Sequence, residues 1–149
     1  DALRRGEGAA VGSPFALRAA FAGVPLLVVD SVTEALQHPP GAVLVTGSHG
    51  GLSAGRFALQ ARPLLVVFND AGVGKDGAGI AALGLLQAAG IAACAVAHDS
   101  ARIGEARSTL DDGVVSFAND AAVALGLEPG RRLAEGLSEP SAGSSPDRR

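Results

Sequence analysis

The sequence predicts one α/β domain, a three-layer unit in which a five-stranded, mostly parallel sheet carries helices on both faces. Three observations lead there. Five short apolar runs recur, at residues 26–30, 42–46, 64–68, 92–97 and 114–117. Each is mostly apolar along its length, not alternating, which is the pattern of strands covered on both faces. Helix-compatible segments separate them, and strand–helix alternation implies a sheet flanked by helices. A length of 149 residues suits a single domain with a sizeable core.

Taken in order, residues 1–13 are expected to be a flexible N-terminal segment, 14–135 the α/β domain and 136–149 a disordered tail. The tail is rich in Ser, Pro and Gly and has little apolar surface to bury. Ser13-Pro14 is a good helix start and predicts a helix over 15–22. Later helices are expected at 32–37, 53–61, 78–89, 101–110 and 119–125. Gly90 and Gly126 each follow an apolar helical run and suit the left-handed position that ends a helix. Pro39-Pro40-Gly41 and Arg62-Pro63 are short breaks before strands.

Composition narrows the function classes. The 48% apolar content is mostly Ala, Val and Leu, with five Phe and no Trp, Tyr or Met. The core must therefore be built from small aliphatic side chains. A net charge of −3, with no basic block or aromatic platform, excludes nucleic acid as the expected partner. No apolar run reaches the length of a membrane span. The single Cys94 permits no intrachain disulfide, and the cytoplasm is the compartment it fits. Cys94 lies mid-strand and reads as core. The chain begins with Asp, which fits a processed N-terminus or a fragment.

Lys75 is the only lysine, eleven of the twelve basic residues being arginine. It sits in the most glycine-rich stretch, Gly72-Val73-Gly74-Lys75-Asp76-Gly77, between an expected strand and an expected helix. Backbone N–H groups in such a turn suit an anion, with Lys75 adding charge. The stretch matches G-x-G-x-x-G and keeps nucleotide or dinucleotide binding through Gly72 and Gly74 open as an alternative. However, it follows the third strand, not the first. As a Walker A loop it lacks the first glycine and the Ser/Thr that binds magnesium.

Three polar loops follow strands: Thr46-Gly47-Ser48-His49-Gly50-Gly51, Asn69 onward, and His98-Asp99-Ser100-Ala101-Arg102. In a parallel sheet these share the carboxyl edge, where ligands bind. The expected catalytic set is His49, Asp70, Lys75 and His98, facing one shared cavity. A histidine would transfer protons, Asp70 would orient it, and Lys75 would stabilise negative charge. Ser48, Gly50, Asn69, Gly72, Gly74, Asp99, Ser100 and Arg102 are the expected ligand-binding residues, with Arg102 suited to clamp an anion. Asp99 and Ser100 could equally cap the helix expected from Ala101. Ser48 lacks the Gly-x-Ser-x-Gly elbow of a serine nucleophile. No close His/Cys/Glu spacing supplies three metal ligands, so no metal is expected and no cofactor is specified.

Val43-Leu44-Val45-Thr46-Gly47-Ser48-His49-Gly50, then Pro63 to Asp70, then Ala88-Ala89-Gly90-Ile91-Ala92-Ala93, resembles the core of caspase-like peptidase domains. There one strand ends in His-Gly and the next in the nucleophilic cysteine. The resemblance implies that His49 matches the catalytic histidine. The cysteine position falls near Asp70, where there is no thiol, so it implies the fold without that peptidase mechanism.

The leading expectation is a small-molecule enzyme of hydrolase or lyase type acting on a small, anionic substrate at the carboxyl edge. A non-catalytic ligand-binding or assembly domain is the alternative, and a homo-oligomer is compatible with either.

Overall fold

The computed structural model describes residues 9–10 and 21–138. A six-stranded sheet runs in sequence order through β1 (Ala9–Ala10), β2 (Leu26–Val29), β3 (Val43–His49), β4 (Leu65–Asn69), β5 (Ala92–Val96) and β6 (Val115–Ala118). Strands β2 to β5 are parallel, and β1 and β6 are antiparallel at the two edges. The five expected strands are all present. The sixth, β1, falls in the segment expected to be loose.

Each expected helical segment inside the described residues contains helix. A 3₁₀ helix spans Val32–Gln37, closed by a capping box between Ser31 and Glu34. The α-helices are α1 (Leu52–Ala61), α2 (Ala81–Ala88), α3 (Ala106–Asp112), α4 (Asp120–Ala124) and α5 (Leu133–Leu137). Helix α5 extends beyond residue 135, the expected end of the domain. The helix expected at 15–22 falls largely outside the described residues, as do residues 139–149.

Strand side chains divide between the two faces with period two. Leu44, Val66, Phe68, Ala93 and Ala95 pack in the core that includes Ala54 and Ala58 of α1 and Ala82, Leu83 and Leu86 of α2. Val43, Val45, Leu65, Val67, Cys94 and Val96 pack in a second core with Leu110 of α3 and Leu133 and Leu137 of α5. Small residues let the layers close. A Cβ on Gly55 of α1 would lie 2.9 Å from the Ala82 Cβ and 3.0 Å from Leu85 Cδ2. Gly90 (φ 77°) and Gly126 (φ 95°) take the left-handed conformation their positions call for.

Two helix starts lie later than the sequence suggests. Between Lys75 and Ile80 the chain is 3₁₀, interrupted by left-handed residues, and α2 begins only at Ala81. Helix α3 begins at Ala106, five residues past Ala101. Gly104 (φ 85°) is drawn onto Gly47, its N–H donating to the Gly47 carbonyl at 2.7 Å, so residues 101–105 cannot be helical. The Asp30 carboxylate then accepts the Ala106 N–H at 2.9 Å. The return from α3 explains the orientation of β6. Gly113 lands against Val96, and the Ala97 N–H donates to the Val114 carbonyl. The chain thus re-enters at the carboxyl end of β5 and must run antiparallel.

Phe68 is fully buried in β4, whereas Leu64 just before the strand is 36% exposed. Phe68→Ala should cost about 3–5 kcal/mol in urea-unfolding free energy. Leu64→Ala should cost about 1 kcal/mol or less.

Candidate functional site

The carboxyl edge of the sheet is organised around Asp70, which is 4% exposed. Strand β4 is buried along its whole length, so the residue that follows it starts from the interior. A carboxylate there needs internal donors. Asp70 Oδ1 accepts the backbone N–H of Gly72 at 2.8 Å and of His98 at 3.0 Å. Its Oδ2 accepts the Ser116 hydroxyl at 2.7 Å. The His98 ring places Nδ1 3.4 Å from Oδ1. Burial pushes the Asp70 carboxyl up. The Ser116 hydroxyl, the two N–H groups and the adjacent imidazole outweigh that and hold it below its ordinary value.

His98 lines a cavity of about 540 Å³, walled also by Asn69, Asp99, Arg102, Ile103 and Asp112. Nδ1 is the ring nitrogen beside Asp70, and Nε2 makes no hydrogen bond among the described residues. Asn69 forms part of the floor, fully buried, its Oδ1 accepting from the Ala71 N–H and its Nδ2 donating to the Ala101 carbonyl. Ser100 lines the same space, but its hydroxyl donates to the Ala97 carbonyl at 2.7 Å and accepts the Val114 N–H at 3.0 Å. It therefore ties β6 to the loop instead of capping a helix. Ser108 accepts the Arg102 N–H at 2.9 Å and lies 3.3 Å from Asp112 Oδ2.

Among the described residues, neither this cavity nor a second one brings His49, Asp70, Lys75 and His98 together as expected. His49 lines a separate cavity of about 170 Å³ with Ser48, Thr33, Ser53 and Phe57. The reason is the side on which each loop leaves the sheet. After β3 the chain turns at Gly50-Gly51 into α1, and the His49 ring folds that way, Nδ1 accepting the Gly51 N–H at 3.2 Å. After β5 it crosses towards α3, on the opposite face, and takes His98 with it. Ser48 is held by the Val32 N–H at 2.9 Å. Gly50 serves packing. Its N–H donates to the Asn69 carbonyl, its carbonyl accepts from Ala82, and an added Cβ would lie 2.9 Å from the Gly79 carbonyl oxygen.

Lys75 is exposed and lines neither cavity. Among the described residues it makes no ion pair, with Asp76 or any other group. The glycine-rich loop turns its donors inward. The N–H groups of Gly72, Gly74, Gly77 and Gly79 go to Asp70 Oδ1, Gly72 O, Gly74 O and Val73 O. The loop is also left-handed at six positions: Ala71, Gly72, Val73, Gly74, Asp76 and Gly77. For β-branched Val73 (φ 69°) that is a strained conformation. It is held by Val73 N–H to Asp70 O at 2.7 Å and Gly79 N–H to Val73 O at 2.6 Å. Glycine is required at 79, where a Cβ would run into the Asp70 carbonyl oxygen.

Sequence reasoning missed Ser116, Ser108, Ile103 and Asp112. Ser116 was the most legible, a polar residue inside the apolar run Val114-Val115-Ser116-Phe117. Cys94 is fully buried, and burial pushes its thiol up to about 12, so it is core, as its mid-strand position suggests. No group of three or more potential metal ligands occurs among the described residues. No described helix is long and apolar enough to cross a membrane.

Asp70→Ala should cost roughly 2–4 kcal/mol at pH 7, because it strands two buried N–H groups and a hydroxyl. Asp70→Asn should cost less, since an amide can accept at one end and donate to Ser116 at the other. The folded carboxyl titrates below its unfolded range. Its contribution is therefore fully present above about pH 4 and is lost as pH falls through the folded value. The stability gap between wild type and Asp70→Asn, followed by urea unfolding against pH, should narrow over that window.

Comparison with protein-family models, curated proteins and solved structures finds no match, so the geometry of the carboxyl edge alone carries the functional reading.

Proposed function

We propose that the protein is a small-molecule enzyme of lyase or hydrolase type, with His98 transferring protons in the cavity beside Asp70. One observation carries this reading. An imidazole on the wall of a substrate-sized cavity has one nitrogen facing a buried carboxylate and the other left for a ligand. That arrangement orients a general acid or base. The hydroxyls of Ser100 and Ser108 are engaged in structural hydrogen bonds, which favours proton transfer to substrate or water over a serine nucleophile. Arg102 offers its guanidinium to an anionic group, and Asp99 and Asp112 offer acceptors to hydroxyl or amine groups. The ligand class is therefore a small anionic molecule that also carries hydrogen-bond donors.

The test is a thermal-shift screen of small carboxylates and phosphates. Hits are titrated calorimetrically on wild type, His98→Gln, Arg102→Ala and Lys75→Ala, then followed by NMR for conversion. Arg102→Ala should weaken binding about ten- to a hundredfold. His98→Gln should slow any turnover by about 10²–10⁴-fold. Lys75→Ala should leave both unchanged. A hit that depends on Lys75 and not on His98 or Arg102 would move the site to the glycine-rich loop and overturn this reading.

A further inference from the structure

We infer that Ser116, on edge strand β6, is a positioning residue for His98, acting through Asp70: its hydroxyl fixes the carboxylate so that Oδ1 faces the imidazole. The inference rests on the reading of His98 as the proton-transfer group. Oδ1 already collects the Gly72 and His98 N–H groups, whereas Ser116 is the partner of Oδ2. Two acceptors lie near the Ser116 hydroxyl, Oδ2 at 2.7 Å and the Ala95 carbonyl at 3.4 Å. A hydroxyl has one proton, and the nearer, charged acceptor takes it.

Strand pairing does not explain this side chain. Strand β6 is joined to β5 by backbone bonds, with Phe117 opposite Ala95 and Val115 opposite Val96. The side chains on either side of Ser116 in the strand are apolar. The groups around the carboxylate come from three places: Gly72 in the loop after β4, His98 after β5, and Ser116 on β6. His98 is the titratable group that faces it, and no Lys or Arg pairs with it among the described residues. With Oδ1 held towards Nδ1, neutral His98 keeps its proton on Nδ1 and presents Nε2 to the cavity as an acceptor.

The test is NMR on the ligand-free, full-length protein. Carboxyl ¹³C titration follows Asp70, and long-range ¹H–¹⁵N correlations report the His98 tautomer, with the His98 signals assigned by their loss in His98→Gln. In Ser116→Ala the Asp70 midpoint should move upward by on the order of one pH unit. The neutral His98 signal should shift from the Nδ1–H pattern towards Nε2–H. Ser116→Thr, which keeps the hydroxyl, should restore both. If Ser116→Ala does not fold, Ser116→Cys, similar in size but a weak donor, replaces it with the same expected shifts. A folded Ala or Cys variant with an unchanged Asp70 midpoint and unchanged tautomer overturns the positioning role. No ligand is needed, so a failed screen would defeat the enzymatic reading without touching this result.

Discussion

A buried carboxylate at the end of the central strand organises this molecule's carboxyl edge. Strand β4 has helices over both faces, so Asp70 leaves it inside the protein and not in water. An ionised group there must be satisfied by donors from the chain itself. Three segments supply them, namely the loop after β4, the end of β5 and the edge strand β6. The requirement has consequences for each. The loop must double back at once, which it does through a run of left-handed residues that includes strained Ala71 and Val73. The end of β5 must bring the His98 N–H to Oδ1, which sets the His98 ring beside the same oxygen. Strand β6 must reach Asp70 with a hydroxyl.

Close approach of backbone to backbone is the second constraint. Gly47 meets Gly104, and Gly50 meets Gly79, at separations that leave no room for a Cβ. These contacts stitch neighbouring loops together without side chains. They also divide the edge. The Gly50–Gly79 contact draws the loops after β3 and β4 onto the face of α1 and α2. The Gly47–Gly104 contact anchors the loop after β5 on the way to α3. His49 therefore falls on one side and His98 on the other, although β3 and β5 end at the same edge.

The larger cavity is a product of that division. The segment from His98 to Glu105 spans the gap between β5 and α3 without becoming helical, and the space beneath it is floored by Asn69. Ser100 within this segment and Ser108 of α3 hold its irregular backbone in place by bonding backbone groups that have no ladder to join. Arg102, Asp99 and Asp112 line the cavity's rim, with Arg102 paired to Glu105 at 3.8 Å, and the His98 ring sits beside Asp70. The glycine-rich loop, despite its lone lysine, spends the N–H groups of Gly72, Val73, Gly74, Gly77 and Gly79 on acceptors within the Asp70–Gly79 segment.

The sequence by itself determined the α/β class, the position of each of the five main strands and the edge where polar residues collect. Continuous apolar runs can be stable only when covered on both faces, and parallel strands send their following loops to one end. It also marked Asp70 and His98, because a charge or imidazole directly after a buried strand is conspicuous. Tertiary structure decided the rest. Which face each loop takes depends on the crossover that follows it, so His49 and His98 were indistinguishable in sequence and separate in space. The donors of Gly72–Gly79 could be read as free until the loop's left-handed path turned them inward. The start of α3 was set by a glycine 57 residues away in the chain, Gly47 against Gly104. Ser116 gained its meaning only when antiparallel pairing brought it to a carboxylate 46 residues distant. Local patterns record burial and propensity; pairwise meetings between distant loops are long-range facts that only the folded chain contains.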